Sequence, residues 1–316
     1  VDASDLLRNA LLQLSKQEKI RDVIEKAPVS RSVVKRFVPG ARNADVVGAA
    51  SEIAASGRLS TIDYLGEDTT DLEQARHTRD AYVALLTALH DQGLTEGGKV
   101  EVSLKLSALG QALPGDGNAI ALEHARAICD VARQAGTTVT LDMEDHTTTD
   151  LTLDALRELR ADFPTVGAVL QAYLYRTEAD CRDLAHAGSR VRLCKGAYKE
   201  PESVAFQAGA EVDKSYVRCL KILMQGEGYP MVASHDPRLI EIAGALGGQA
   251  GRDPKSFEYQ MLYGIRPEEQ KRIADRGDQM RVYIPYGEEW YGYLMRRMAE
   301  KPANVMFFLR GVATKG

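Results

Sequence analysis

Hydrophobic and polar positions follow two different rhythms along this chain. Over the first stretch the apolar positions recur at helical spacing. Leu6, Leu7, Leu11, Leu14, Ile20, Val23 and Ile24 put an apolar face on a charged helix from about 4 to 27. Pro28 and Pro39 bracket a second short segment, 30–37, and an Ala-rich stretch from about 43 to 56 ends at Gly57. Residues 1–57 are therefore expected to form a helical segment packed against the remainder of the chain. From Arg58 the rhythm changes. Short runs rich in β-branched and aromatic residues occur at 59–65, 100–104, 138–142, 166–173, 190–194, 230–234, 257–261 and 281–284. Helical stretches fall between them, among them 71–92, 119–134, 151–161, 178–187 and 237–246.

Each crossover between later strands is long enough for a helix, so the strands should be parallel. Eight strand–helix units over about 240 residues fit a (β/α)8 barrel better than a doubly wound sheet. The expected fold is α/β, with a barrel spanning 58–316. Its last unit is the stretch RVYIPYGEEWYGYLMRRMAE, 281–300, read as a strand that stops at Pro285 and a helix from about Glu288. Arg296 and Arg297 can flank one point without both facing the interior, and Glu300 can pair with either. Two readings stand side by side: a solvated basic patch, or a fork of arginines that grips a carboxylate beside Tyr283.

Composition narrows the function classes. Of 316 residues 44% are hydrophobic and 27% charged, with a formal net charge of -5. That balance argues against a nucleic-acid binder, which would normally be basic. No apolar run approaches the roughly 18 residues that span a bilayer. The opening VDASDLLRN has no basic flank before an apolar core, so no signal peptide is expected. Cys129, Cys181, Cys194 and Cys219 show no metal spacing and read as reduced packing residues of a cytoplasmic protein.

Barrel chemistry sits at the C-terminal ends of the strands, and those ends are unusually polar here. They bring Lys105; Asp142, Glu144 and Asp145; Gln171 and Tyr173; Arg192, Lys195 and Tyr198; Ser234 and His235; and Tyr283. Each alone has a bland reading, such as a rim ion pair for Lys105 and Asp142, or a packing role for His235. Gly196 and Ala197 could simply allow a close helix–strand approach. Arg192 is harder to dismiss, because it alternates with Val191 and Leu193 in a strand that should be buried. A buried arginine needs a carboxylate, a bound anion or an acceptor ring.

The motifs VSLKLSAL, LDMED, QAYL, VRLCKGAYKEP, FEYQMLYG and YIPYGxxWxxYLMRRMAE, in this order, resemble the proline dehydrogenase family. The resemblance spans about residues 40–312, and the compact length looks like the monofunctional bacterial form. It implies a distorted (β/α)8 barrel that oxidises L-proline to Δ1-pyrroline-5-carboxylate, with a hydride passing from C5 to N5 of FAD. It places Asp142 and Arg192 at the chemistry, Arg192 near N5. It implies substrate contacts from Lys105, Tyr198, Leu262, Tyr283, Arg296, Arg297 and Glu300. Lys105 would be held by Asp142 or by the substrate carboxylate, and the Tyr283 ring would crowd C4 and favour proline over hydroxyproline. Cofactor contacts are implied for Met143, Gln171, Lys195, Gly196, Ala197, Ser234 and His235, with a Cβ at 196 obstructing the cofactor. Ser234 stands where threonine is common in the family. No GxGxxG occurs, since GALGGQAG has other spacing, which speaks against a Rossmann mode of FAD binding. The resemblance further implies membrane quinone as electron acceptor and a peripheral place on the inner face of the membrane. The run VMFFL, 305–309, is read as packing for the last helix ahead of lipid or quinone contact.

Three other readings remain. A Schiff-base lyase would use Lys105 or Lys195. A metal hydrolase would use Asp142, Glu144, His146 and His235, but HxH or HExxH spacing is missing. A non-catalytic barrel would be a binding module.

Overall fold

The computed structural model describes residues 34–294. Arg296, Arg297, Glu300 and VMFFL therefore lie outside the described residues, as does the helix expected over 4–27. Eight strands form: β1 Leu59–Tyr64, β2 Val100–Leu104, β3 Val139–Leu141, β4 Ala168–Gln171, β5 Arg190–Cys194, β6 Tyr229–Ala233, β7 Glu258–Leu262 and β8 Gln279–Tyr286. All the pairings are parallel, in the order β3-β2-β1-β8-β7-β6-β5-β4. Helix α1 (Asn43–Ala55) precedes the sheet. Then α2 (Leu72–Asp91), α3 (Gly117–Gln134), α4 (Thr149–Asp162), α5 (Thr177–Leu184), α6 (Gly209–Gln225), α7 (Pro237–Gln249) and α8 (Pro267–Asp275) come after successive strands. Local chemistry starts these helices where expected. Asp71 accepts from Gln74 N at 2.9 Å ahead of α2, and Asp236 accepts from Arg238 N at 3.0 Å with Pro237 opening α7.

The ends of the sheet meet through Gly167. A bridge joins Thr140 to Gly167, Leu141 N donates to Gly167 O at 2.9 Å, and Gly167 N donates to Val139 O at 2.8 Å. A Cβ on Gly167 would stand 2.6 Å from Thr140 Oγ1, so only glycine lets the two backbones approach this closely. The barrel closes at that residue. Helix α1 packs on β1, β8 and α2, so a segment ahead of the first strand occupies the outer ring beside the last.

Alternation along the strands sorts the side chains into two environments. Ile62, Val102, Leu104, Leu141, Leu170, Val191, Leu193, Val232, Met261, Val282 and Ile284 join one buried apolar cluster with the helices. Each such leucine or isoleucine contributes on the order of 2 kcal/mol of burial. The alternate positions carry Thr61, Asp63, Glu101, Ser103, Arg190, Arg192, Glu258, Gln260, Arg281 and Tyr283, which bond across the bore. The hydrophobic core is thus the layer between strands and helices, and the bore is polar.

One boundary differs from the sequence reading. Strand β8 does not stop at Pro285 but runs on to Tyr286, with Asp63 opposite Pro285 and Tyr64 opposite Tyr286. Proline's fixed φ suits an extended backbone, and one missing N–H costs a single rung. Residues 290–294 are helical after a turn at 288–289.

Candidate active site

The lower half of the bore is a layer of paired charges. Arg190 Nη2 lies 2.6 Å from Glu101 Oε2, and Arg281 Nε lies 2.7 Å from Glu258 Oε1. Thr140 Oγ1 donates to Glu101 at 3.1 Å, and the Tyr229 hydroxyl donates to Glu258 at 3.0 Å. Burial by itself would raise the Glu101 carboxyl. Attraction from Arg190, Arg281 and Arg192 outweighs it and brings the pKa down to about 2.

Above this layer stands Arg192, buried and held on three sides. Its Nε donates to Gln260 Oε1 at 2.6 Å, Nη1 to Asp142 Oδ1 at 2.5 Å and Nη2 to Ser103 Oγ at 3.0 Å. Its guanidinium carbon lies 5.3 Å from the centre of the Tyr283 ring. The second oxygen of Asp142 accepts the Tyr283 hydroxyl at 2.7 Å. Burial pushes the Tyr283 phenol well above its ordinary pKa, and the charges of Asp142 and Asp63 add to the shift. The hydroxyl therefore keeps its proton and stays a donor. Asp142, Arg192 and Tyr283, three residues expected at the site from sequence, form one bonded unit.

Lys105 departs from the sequence reading. Its ammonium pairs with Asp63 Oδ2 at 2.7 Å, at the end of β1, and not with Asp142. Asp142 has both oxygens engaged by Arg192 and Tyr283. Burial works against the Lys105 charge, yet Asp63, Asp142 and Glu67 outweigh it and raise the pKa. Burial raises Asp63, opposed by Lys105. Along the bore the cations Arg190, Arg192, Arg281 and Lys105 thus stand against the carboxylates Glu101, Glu258, Asp142 and Asp63.

The remaining expected residues ring this unit. Gln171 Nε2 donates to Glu144 O at 2.7 Å, and its Oε1 accepts the Tyr173 hydroxyl at 3.3 Å. Glu144 accepts from Ser107 N at 3.1 Å and Ser107 Oγ at 2.5 Å; burial raises its pKa against these bonds. Met143 is buried between Asp142 and Glu144. The Tyr173 hydroxyl also reaches Glu200 at 3.2 Å, and Glu200 accepts His146 N at 2.9 Å as well as pairing with its Nδ1. Tyr198 meets that hydroxyl through its backbone. Gly196 has φ +116°, and a Cβ there would strike the Tyr173 ring at 2.4 Å. The obstruction expected at this glycine is the chain's own tyrosine. Ala197 beside it is exposed. Lys195 pairs with Asp213 at 2.5 Å and Asp236 at 3.3 Å on the rim. Ser234 Oγ accepts from Asp236 N at 3.1 Å. His235 Nε2 accepts the Leu262 N–H at 3.0 Å, which ties the end of β6 to the end of β7 and places the imidazole proton on Nδ1.

Asp63, Ser103 and Gln260 were missed from sequence. Asp63 and Gln260 carry the signal that exposed Arg192, a polar residue alternating with apolar ones in a buried strand. Among the described residues no three His, Cys, Asp or Glu side chains gather as a metal site.

The family model for "Proline dehydrogenase" matches residues 46–310. The chain belongs to the proline dehydrogenase family. Proline dehydrogenase 1 of Bacillus subtilis strain 168 is 38% identical over 310 residues, covering 98% of this chain and all of that protein. Proline dehydrogenase of Deinococcus radiodurans is 36% identical over 309 residues, 97% of this chain and 98% of that one. Among solved structures, proline utilization A from Bdellovibrio bacteriovorus, inactivated by N-propargylglycine, superposes with a TM-score of 0.80 at 26% identity. It covers 91% of this chain, which spans about a third (34%) of that much longer one. Membership in the proline dehydrogenase family makes the chain an oxidoreductase acting on proline, and the bonded unit of Arg192, Asp142 and Tyr283 lies at the mouth where barrel enzymes work.

Proposed function

We propose that the protein oxidises L-proline to Δ1-pyrroline-5-carboxylate with FAD as the first electron acceptor and membrane quinone as the next. The observation that carries this reading is Arg192, a permanent cation fixed by Asp142, Ser103 and Gln260 at the barrel mouth, with the Lys105–Asp63 pair in the same bore. The donor set fits a flavin. Gln171 is an amide whose orientation is set by Glu144 O and the Tyr173 hydroxyl, suited to the donor–acceptor edge of a pyrimidine ring. Lys195 is a rim cation that a pyrophosphate could draw from Asp213 and Asp236. FAD, when bound, supplies the two-electron acceptor for the hydride that leaves proline C5.

The chain's own residues then bind, orient and shield. Lys105 and the pair Arg296 and Arg297 take the role of binding the proline carboxylate, with Glu300 as the counter-charge of an arginine. Tyr198, Leu262 and Tyr283 wall the pyrrolidine ring and exclude water. The Tyr283 hydroxyl keeps its proton and donates to Asp142, so that carboxylate stays engaged and Arg192 stays in place. Met143, Gly196, Ala197, Ser234 and His235 line the cofactor side of the mouth. Quinone reduction implies peripheral association with the inner face of the membrane; among the described residues no helix is long and apolar enough to cross one.

The lyase reading loses ground at Lys105. A Schiff-base lysine must be neutral to attack, whereas the pKa of Lys105 is raised by its carboxylates. The test is the visible absorption spectrum of the purified protein before and after anaerobic L-proline. An oxidised-flavin spectrum that bleaches with proline supports the proposal. A spectrum untouched by proline, or a colourless protein that takes up no FAD, overturns it.

A further inference from the structure

We infer that Gln260 is a positioning residue for Arg192, acting as a polar relay between that guanidinium and the charged layer beneath it. The inference deepens the proposed function and rests on Arg192 serving the reaction. Gln260 is buried, on β7, and makes two short bonds in opposite directions. Its Oε1 accepts from Arg192 Nε at 2.6 Å, and its Nε2 donates to Glu258 Oε1 at 2.5 Å. The amide orientation follows from chemistry alone. Turned over, it would set a donor against the always-cationic guanidinium and an acceptor against a carboxylate.

Glu258 cannot yield to such a turn. It also holds Arg281 Nε at 2.7 Å and the Tyr229 hydroxyl at 3.0 Å, and Arg281 is further fastened to Ser60 O at 2.8 Å. The lower layer is thus a rigid anchor, and Gln260 bonds both to it and to Arg192 Nε. Asp142 and Ser103 hold the Nη atoms. Without the Nε contact the guanidinium can tilt about the line through Nη1 and Nη2, so the third contact fixes the plane of the cation. Orientation decides how well a cation serves a charge that develops in the transition state.

The test uses Gln260→Glu and Gln260→Met in the full chain. A glutamate beside Glu258 titrates upward through burial and like charge, with Arg192 and Arg281 opposing. When protonated it reproduces both glutamine bonds; when ionised it repels Glu258. The expected kcat of Gln260→Glu is within about threefold of wild type near pH 6 and falls about tenfold further as the pH rises. The wild type should lack that limb, and KM for proline should change less than about threefold in both variants. Gln260→Met should lose about tenfold in kcat at every pH, with the potential of the bound flavin shifted.

A second readout needs no cofactor. In flavin-free protein the 15N-labelled Nε–H signal of Arg192 should titrate in Gln260→Glu and stay fixed in wild type. If Gln260→Met does not fold, Gln260→Glu, which keeps the acceptor, decides alone. A wild-type pH profile for Gln260→Glu with an Arg192 signal that does not titrate would overturn the assignment. A wild-type protein without flavin would defeat the proposed function instead, and the Arg192 signal would still judge Gln260.

Discussion

Arg192 and Asp142 meet at 2.5 Å inside the barrel, and the other oxygen of Asp142 is taken by Tyr283 at 2.7 Å. A residue within β5 is thereby locked to the residue that follows β3 and to one within β8. Breaking a buried pair on one side leaves the partner charge uncompensated, at about 3–5 kcal/mol. Arg192→Met should therefore lower the unfolding free energy by about that much. It should slow the single-turnover reduction of bound flavin by about 100-fold or more. Stopped-flow mixing with proline reads the second effect, and an unchanged rate would remove Arg192 from the chemistry.

Tyr283→Phe separates the ring from its hydroxyl. The ring keeps its contact with Arg192, while Asp142 loses one of its two partners. Loss of one hydrogen bond to a buried carboxylate costs about 1–3 kcal/mol, so melting should fall by several degrees. If the ring alone crowds proline C4, the preference for proline over hydroxyproline should survive in Tyr283→Phe. Relative kcat/KM for the two substrates checks this, and a preference that collapses would assign it to the hydroxyl.

Falling pH should cost stability through the charged layer of the bore. The Glu101 carboxyl has a folded-state pKa of about 2, below its ordinary 4.5. A depressed carboxyl contributes stability that is present above the unfolded pKa and lost as pH falls towards the folded one. The window is therefore from about pH 4.5 down to about 2, and the contribution is on the order of 3 kcal/mol. Glu101→Gln should flatten stability across that window, at the expense of stability near neutrality. Urea denaturation at stepped pH measures both, and a parallel curve for the variant would refute the assignment.

The barrel was legible in the sequence because its strands are short, regularly spaced and separated by amphipathic helices. The site was legible in part for a different reason. Arg192 breaks an apolar strand, and a charge in that place demands partners. Asp63 and Gln260 interrupt their strands by the same alternation, TIDYL and EYQML, yet acidic and amide residues raise less alarm than an arginine. Which carboxylate takes Lys105 was not legible at all. Asp63 and Asp142 lie 79 positions apart in the chain, and only the stagger of neighbouring strands brings one of them to the ammonium. The reach of β8 through Pro285 was hidden because proline ordinarily ends a pattern, and only the register with Asp63 shows that the backbone stays extended.

The pair Arg296 and Arg297 carries the proposal to residues beyond 294. If they clamp the proline carboxylate, Arg296→Met and Arg297→Met should each raise KM for proline by about tenfold or more, because a charge-assisted bidentate contact is lost. Bound FAD should remain at wild-type stoichiometry in both. Michaelis constants unchanged in the two variants would defeat the clamp.

Lys105 separates the oxidoreductase from a Schiff-base lyase by experiment as well as by argument. Asp63 and Asp142 hold its ammonium charged, and a charged amine has no lone pair to offer a carbonyl. Borohydride added to the protein with substrate should therefore trap no adduct at Lys105, as peptide mass mapping would show. Lys105→Met should still raise KM for proline, since the carboxylate loses a fixed cation. It should also destabilise the fold, because Asp63 is left buried beside Asp142 with no opposing charge. Adding Asp63→Asn removes that second penalty but not the first. In the double variant the melting temperature should recover towards wild type while KM stays high. Recovery of both together would mean that Lys105 acts only by neutralising Asp63, and would leave the substrate carboxylate to the arginines alone.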